Sequence, residues 1–227
     1  MKYEGMIEGV FIRRRNRFIA EVAVNEQVET VHVRNTGRLR ELFIEGAPVL
    51  LEPSSNPERK TRYSLICVRK NGKWVNVDST APNQFVEEMV RSGRLFSDIT
   101  YVKREKTFGN SRFDLYVEHG GQKHYIEVKG VTLEADGAAR FPDAPTERGI
   151  KHIRELIEAK RQGYSASIIF VIQMKGVHRF EPNRAAHAAF ADALQEAAAA
   201  GVEIQAFDCI VTRDSLTGDL SIPVDLE

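Results

Sequence analysis

The residues best suited to chemistry lie in two short stretches, Ser111-Arg112-Phe113-Asp114-Leu115-Tyr116 and Tyr125-Ile126-Glu127-Val128-Lys129. In a strand, residues i and i+2 share a face. Phe113, Leu115 and Val117 are therefore expected on one side and Asp114 on the other. In the second stretch Ile126 and Val128 take the apolar side, and Glu127 and Lys129 stand together opposite. Gly120-Gly121 between them suits a tight hairpin, and pairing through it brings Asp114 toward Glu127 and Lys129. Two carboxylates and an ammonium on one face form the kind of group that phosphodiester hydrolysis needs. Mg²⁺ is held by one or two carboxylates, with water and substrate phosphate completing the octahedron. The ion polarises a phosphoryl oxygen and lowers the pKa of bound water. A lysine beside it can orient or deprotonate that water, or stabilise developing charge. The competing reading is a solvated strand face carrying an ordinary Glu/Lys pair.

A second cluster runs Phe141-Pro142-Asp143-Ala144-Pro145-Thr146-Glu147-Arg148-Gly149-Ile150-Lys151-His152. It reads as a helix start, where Pro145 is tolerated and Thr146 or Asp143 can cap free amides. Arg148, Lys151, His152 and Glu155 then line one helical face, and Ile150, Ile153 and Ile157 another. Basic groups beside exposed helix amides suit a phosphate, although many surface helices look the same. The third feature is the run Arg13-Arg14-Arg15-Asn16-Arg17-Phe18, with Arg34, Arg38 and Arg40 around Asn35-Thr36-Gly37. From Arg59 to Val77 there are six basic residues and no acidic one. Such segments can track a phosphate backbone, with Tyr63 or Trp74 for stacking. Clustered arginines repel one another unless an anion is near.

The elements that must position these groups follow from periodicity. Phe18, Ala20, Val22 and Val24 alternate strictly, and Val31 and Val33 continue the pattern. With further strands near Tyr3–Ile12, Ala47–Leu51, Tyr63–Val68 and Trp74–Val77, residues 1–80 read as a small barrel, with a short helix expected at Arg38–Phe43. Past Ala81-Pro82-Asn83 the pattern becomes helix, three strands, helix, strand, helix, strand. That predicts a mixed α/β domain over residues 81–227.

The chain has 227 residues, 32 Lys plus Arg against 32 Asp plus Glu, and 42% hydrophobic residues, the composition of a globular protein. Residues 1–80 hold 14 basic against 10 acidic residues, so the front is basic and the back acidic. No apolar run is long enough to span a membrane. The start of the chain lacks a signal-like apolar stretch, and Cys67 and Cys209 read as free thiols; a cytoplasmic location is expected. The histidines lack zinc-ligand spacing, and no Walker loop or nucleophile elbow occurs.

Several of these stretches, in order, resemble the sugar fermentation stimulation protein family over essentially the whole chain. They are His32-Val33-Arg34-Asn35-Thr36-Gly37-Arg38, Ser111–Asp114, Glu127-Val128-Lys129-Gly130-Val131-Thr132-Leu133, Phe141–Gly149 and Lys151-His152. The chain departs from the family pattern at Arg34, where a proline is expected, and at Pro145. The resemblance implies an OB-like barrel followed by a restriction-endonuclease-like α/β domain of the PD-(D/E)XK superfamily. It puts the superfamily's metal-binding and catalytic positions on Asp114, Glu127 and Lys129, with Mg or Mn as the metal. Arg112, Thr132, Asp143, Arg148, Lys151 and His152 carry over as motif positions without assigned roles. It also implies DNA binding and regulation of sugar (maltose) metabolism.

Three functions compete. The first is a divalent-metal nuclease in which Asp114 and Glu127 hold the metal, Glu88 or Glu105 is a candidate further carboxylate, and Lys129 serves the water. Arg13, Arg14, Arg15, Arg17, Arg34, Arg38, Arg112, Arg148, Lys151 and His152 would contact nucleic acid, DNA ahead of RNA. The second is a non-catalytic DNA-binding regulator of sugar-utilisation genes. The third is a protein-interaction module.

Overall fold

The alternating apolar positions of the first third form strands, and five of them close on themselves. The computed structural model describes residues Met1–Glu227. Strands β1 (Ile7–Arg14), β2 (Ile19–Val24) and β3 (Gln27–Val33) form an antiparallel meander, followed by β4 (Pro48–Pro53) and β5 (Tyr63–Lys70). β1 pairs with β2 and β4, and β4 with β5. β5 then returns to β3, placing His32 opposite Ser64 and Val33 opposite Leu65. Closure removes open edges. The inward side chains Val22, Val31, Val33, Leu51 and Leu65 are fully buried. Strand β6 (Lys73–Asn76) leaves β5 through Asn71-Gly72, both at positive φ, a pairing of residues that suits a two-residue hairpin turn. The helix expected at Arg38–Phe43 is instead a pair of turns, because Leu39 adopts φ +48 and its carbonyl takes the amides of Leu42 and Phe43.

Helix α1 (Ala81–Arg91) buries Phe85, Val86, Met89 and Val90, and Pro82 sits in its first turn, where a missing N–H costs nothing. Strands β7 (Ile99–Phe108), β8 (Ser111–His119) and β9 (Gln122–Val131) form a meander. A hairpin of β10 (Leu133–Ala135) and β11 (Ala138–Phe141) leads to helix α2 (Glu147–Arg161). Strand β12 (Ser165–Ile172) runs parallel to β9, and β13 (Arg179–Pro182) parallel to β11. Helix α3 (Arg184–Ala199) and strands β14 (Glu203–Val211) and β15 (Leu216–Ser221) complete the chain. The large sheet has the order β15-β14-β12-β9-β8-β7. The continuous apolar run of β12 has a plain cause. Ile169 and Val171 pack under α1, while Ile168, Phe170 and Ile172 join the cluster beneath α2 and α3.

That second cluster of 39 buried side chains extends without a break into the barrel. The two units also share a buried polar network. The Gln173 side-chain amide donates to Asn76 Oδ1 (2.9 Å) and to the Asp78 carbonyl (3.0 Å), and the Asn76 amide N–H donates to the Gln173 carbonyl. At the chain start, Lys2 bridges to Ser215 and the Tyr3 amide bonds Asp214. No helix is long and apolar enough to cross a membrane.

Candidate functional site

The hairpin through Gly120-Gly121 sets the register of β8 on β9, with Tyr116 opposite Tyr125 and Leu115 opposite Ile126. The ladder ends there, one residue short of Asp114 and Glu127. Asp114 replaces the missing backbone partner with its side chain, and Oδ2 accepts the Val128 amide at 2.8 Å. Its Oδ1 accepts from Asn83 Nδ2 on the first turn of α1 at 2.9 Å. Glu127 is 2% exposed, and its Oε1 takes two donors, Lys129 Nζ and His152 Nδ1, each at 2.5 Å. On the other side of that imidazole, Arg148 Nε donates to His152 Nε2 at 3.4 Å, a pair of partners that fits the neutral Nδ1–H tautomer.

The expected grouping of Asp114, Glu127 and Lys129 is therefore present, but the alternation drawn for β8 is not. Phe113 joins the α2-side cluster, its ring 6.1 Å from that of His152, whereas Leu115 and Val117 pack under α1. The strand turns over at Asp114. Across from it in β7, Glu105 has φ +55 and drops out of the pairing between Arg104–Leu115 and Lys106–Phe113. The local break lets Asp114 be held from the α1 side while Glu127 is held from the α2 side.

Burial raises the Asp114 carboxyl above its ordinary range, and the Glu127 charge raises it further, against the Val128 amide, Lys129 and Asn83. Burial also raises Glu127, but the His152 hydrogen bond and the Lys129 charge outweigh it and hold the group below the usual value. Glu127 Oε2 is buried with no hydrogen-bond partner. A bare carboxylate oxygen beside a second, electrostatically strained carboxylate is what a hard cation would relieve, so the donor set fits a divalent ion that takes oxygen ligands. His152 is turned to Glu127, and no three His, Cys, Asp or Glu side chains are arranged as a ligand set. Two carboxylates suffice when water and phosphate fill the other positions. The two candidate extra carboxylates are engaged elsewhere. Glu88 binds the Met1 ammonium at 3.2 Å, and Glu105 is exposed and pairs with Arg112 at 3.4 Å.

Several arginines of the sequence reading are committed within the protein. The anion that relieves the Arg13–Arg17 run is the chain's own Glu21, which pairs with Arg13 at 2.6 Å and with Arg15. Arg14 donates to the carbonyls of Asn16, Arg17, Asn35, Gly37 and Arg38 and lies over Phe43, so it organises the loop and has no donor to spare. Arg34 bridges Glu52 (3.0 Å) and Asp78 (3.1 Å). His152 is buried against Glu127 and does not present itself to a ligand. Tyr63 is buried in the barrel and Trp74 lies under Arg69, so neither is a stacking platform. Arg112, Arg148 and Lys151 are exposed; Arg112 pairs with Glu105, Arg148 reaches His152, and Lys151 donates to the Asn110 carbonyl. Thr146 caps α2 by accepting the Gly149 amide, as the sequence predicts.

Arg17 and Arg38, with Arg40, line a cleft of about 550 Å³ between the barrel and the Phe141–Thr146 loop. None of the three makes an ion pair. Sequence reasoning named neither this cleft nor Asn83 and Gln173, because each depends on a meeting of segments far apart in the chain.

Two family profiles match in tandem, the family's N-terminal OB domain over residues 12–77 and its RE domain over residues 80–215. The chain belongs to the sugar fermentation stimulation protein family. Relatives described as sugar fermentation stimulation protein homologues include those of Desulfitobacterium hafniense (strain DSM 10664 / DCB-2) and Ruminiclostridium cellulolyticum. Each is 50% identical over 226 residues, covering 100% of this chain and 99% and 100% of the relatives. The solved structure of Pyrococcus furiosus SfsA in complex with Ca²⁺ superimposes with a TM-score of 0.91 at 30% identity, over 99% of this chain and 98% of that one. The OB-like barrel followed by a restriction-endonuclease-like α/β domain, expected from the resemblance, is thereby borne out.

Proposed function

We propose that the protein binds nucleic acid and hydrolyses its phosphodiester bonds with a divalent metal, Mg²⁺ or Mn²⁺, held by Asp114 and Glu127. The observation that carries this reading is the bare, buried Oε2 of Glu127, with Asp114 close enough for the two charges to repel. The Ca²⁺ bound by the Pyrococcus furiosus relative supports a divalent ion in this chain as well. When bound, the ion would polarise the phosphoryl oxygen and acidify a water.

The chain's own groups do the rest. Asn83 and the Val128 amide fix Asp114, and His152 fixes Glu127, so both carboxylates are oriented before substrate arrives. Lys129, 17% exposed, is tethered to Glu127 and reaches the same space, where its ammonium can hold a water or neutralise charge building on phosphate. Arg148 and Arg112, both exposed, would receive the phosphates on either side. In this reading residues 1–80 bind the strand and residues 81–227 cut it.

The test is incubation of the purified chain with single- and double-stranded DNA and RNA, with Mn²⁺ or chelator, beside Asp114→Asn and Lys129→Ala. Cleavage should require metal, and Lys129→Ala should lower its rate by roughly 10²–10⁴-fold. Equal cleavage by all three proteins would sink the proposal. The family name favours a second reading, a DNA-binding regulator of sugar-utilisation genes. Salt-sensitive DNA binding without cleavage under any metal would favour it.

A further inference from the structure

Beside the arginine-lined cleft lies a second, smaller pocket of about 230 Å³ that shares Thr36, Gly37, Phe141 and Asp143 with it. Its floor is Gly130, Thr132 and Gln173. Gln173 is 1% exposed, and its orientation is fixed. Its Nε2 and Oε1 cannot be interchanged, because Nε2 faces two acceptors, Asn76 Oδ1 and the Asp78 carbonyl. Oε1 therefore points the other way, toward Gly130, and has no hydrogen-bond partner in the protein. Residue 130 has room for no side chain against this oxygen. A Cβ there would stand 2.6 Å from that oxygen and 2.8 Å from Pro82. Pro82 precedes Asn83, which holds Asp114, so the pocket adjoins the proposed metal site.

We propose that this pocket receives one unpaired nucleobase of a strand whose backbone lies along Arg17, Arg38 and Arg40. The inference rests on the nucleic-acid reading above and names the substrate class as single-stranded, or a base extruded from a duplex. The volume lies below the roughly 300 Å³ at which drug-sized pockets begin. It admits one planar heterocycle and excludes a base pair. Phe141 is partly exposed and braced from behind by Phe170 and Phe190, which makes a fixed face for stacking. The free polar groups are the acceptors Gln173 Oε1 and the Asp143 carboxylate, with the Thr36 and Thr132 hydroxyls, which donate or accept. Asp143 stands exposed among arginines without an ion pair. Acceptors select N–H donors on the base edge, and in a duplex those donors are already paired.

The experiment measures binding by fluorescence anisotropy in chelator, with the full-length chain and three labelled probes of equal length. These are a single-stranded oligonucleotide, the same backbone made abasic with tetrahydrofuran sites, and a duplex. Wild type should bind the base-bearing strand about tenfold more tightly than the abasic one. Asp143→Ala, at an exposed position, should remove most of that difference, lowering the ratio of base-bearing to abasic affinity, while the lost charge acts on both strands alike. Phe141→Leu should act in the same direction. Abasic and base-bearing strands bound alike, a duplex bound as well as the single strand, or an Asp143→Ala effect equal on both strands would each overturn the pocket. The first of these leaves the nucleic-acid reading standing. Failure of wild type to bind any of the three overturns both.

Discussion

Glu127 accepts two charged or polar donors on one oxygen and leaves the other bare, and Asp114 next to it is held at the cost of burial and like charge. The two carboxylates therefore respond oppositely to pH. Asp114 binds its proton more tightly folded than unfolded. Its contribution to stability falls as pH rises from the ordinary aspartate range through its raised value, and stays unfavourable above it. Glu127 is lowered, so its contribution is complete above the ordinary glutamate range and is lost as pH falls through its folded value. Asp114→Asn removes the first effect while keeping the shape. The Asn83 amide can turn its oxygen toward the new NH₂ group, and the Val128 amide keeps an acceptor. In chelator the variant should melt at a higher temperature than wild type at pH 7, with the advantage shrinking as pH drops toward the ordinary aspartate value. Its Mn²⁺ affinity by calorimetry should collapse. A variant less stable at neutral pH would show that Asp114 is not electrostatically strained. His152→Asn probes the support of Glu127. It should weaken Mn²⁺ binding by about 10–100-fold, the usual effect of removing a group that orients a metal ligand, and unchanged affinity would make His152 a packing residue only.

At the level of elements, the site depends on a hairpin and on a fault in it. The hairpin was legible, because a turn centred on Gly120-Gly121 fixes which β8 residue faces which β9 residue, and so brings Asp114 to Glu127. The fault was not, because nothing in Lys103-Arg104-Glu105-Lys106 marks Glu105 for φ +55. Helix α2 was legible through the Thr146 cap and the Ile150, Ile153, Ile157 stripe. The assignment of His152 to a charged face was wrong, since the same helix turns that residue inward onto Glu127. Strands β10, β11, β13 and β15 escaped because they are short or polar, and because β11 and β13 exist through pairing with each other across about forty residues of chain. The fault makes a prediction of its own. An L-residue in the left-handed region costs about 1–2 kcal/mol, and the exposed Glu105–Arg112 pair is worth at most about 1 kcal/mol. Glu105→Gly should therefore leave the chain as stable as wild type or more so in denaturant unfolding. It should also leave Mn²⁺ affinity unchanged, because Glu105 is exposed and paired with Arg112 and belongs to no group of three His, Cys, Asp or Glu that could hold an ion. A loss of metal binding would restore Glu105 to the site.

Across the whole molecule, the apolar cluster and the Gln173-Asn76-Asp78 network fasten the barrel to the α/β unit, so the cleft between them has fixed walls. On the proposed function, this is how a chain of zero net charge would hold an anionic polymer. What matters is which arginines remain free once the protein has satisfied itself. The count of basic residues in the front half could not reveal this, since Glu21, Glu52, Asp78 and five carbonyls silence Arg13, Arg14, Arg15 and Arg34 from other strands and loops. Each free arginine that meets a phosphate releases counterions, so its loss should lower the slope of log affinity against log salt by about 1. Arg38→Ala and Arg40→Ala should each do so and weaken binding of all sequences alike, without changing the melting temperature. Arg14→Ala should do the reverse first, lowering stability because five carbonyls lose their donor. Arg13→Ala should do little to the slope, because removing it leaves Arg15 on Glu21. If Arg13→Ala reduced the slope as far as Arg38→Ala, the strand would run over the outer face of β1 and β2, and the cleft would not be its path.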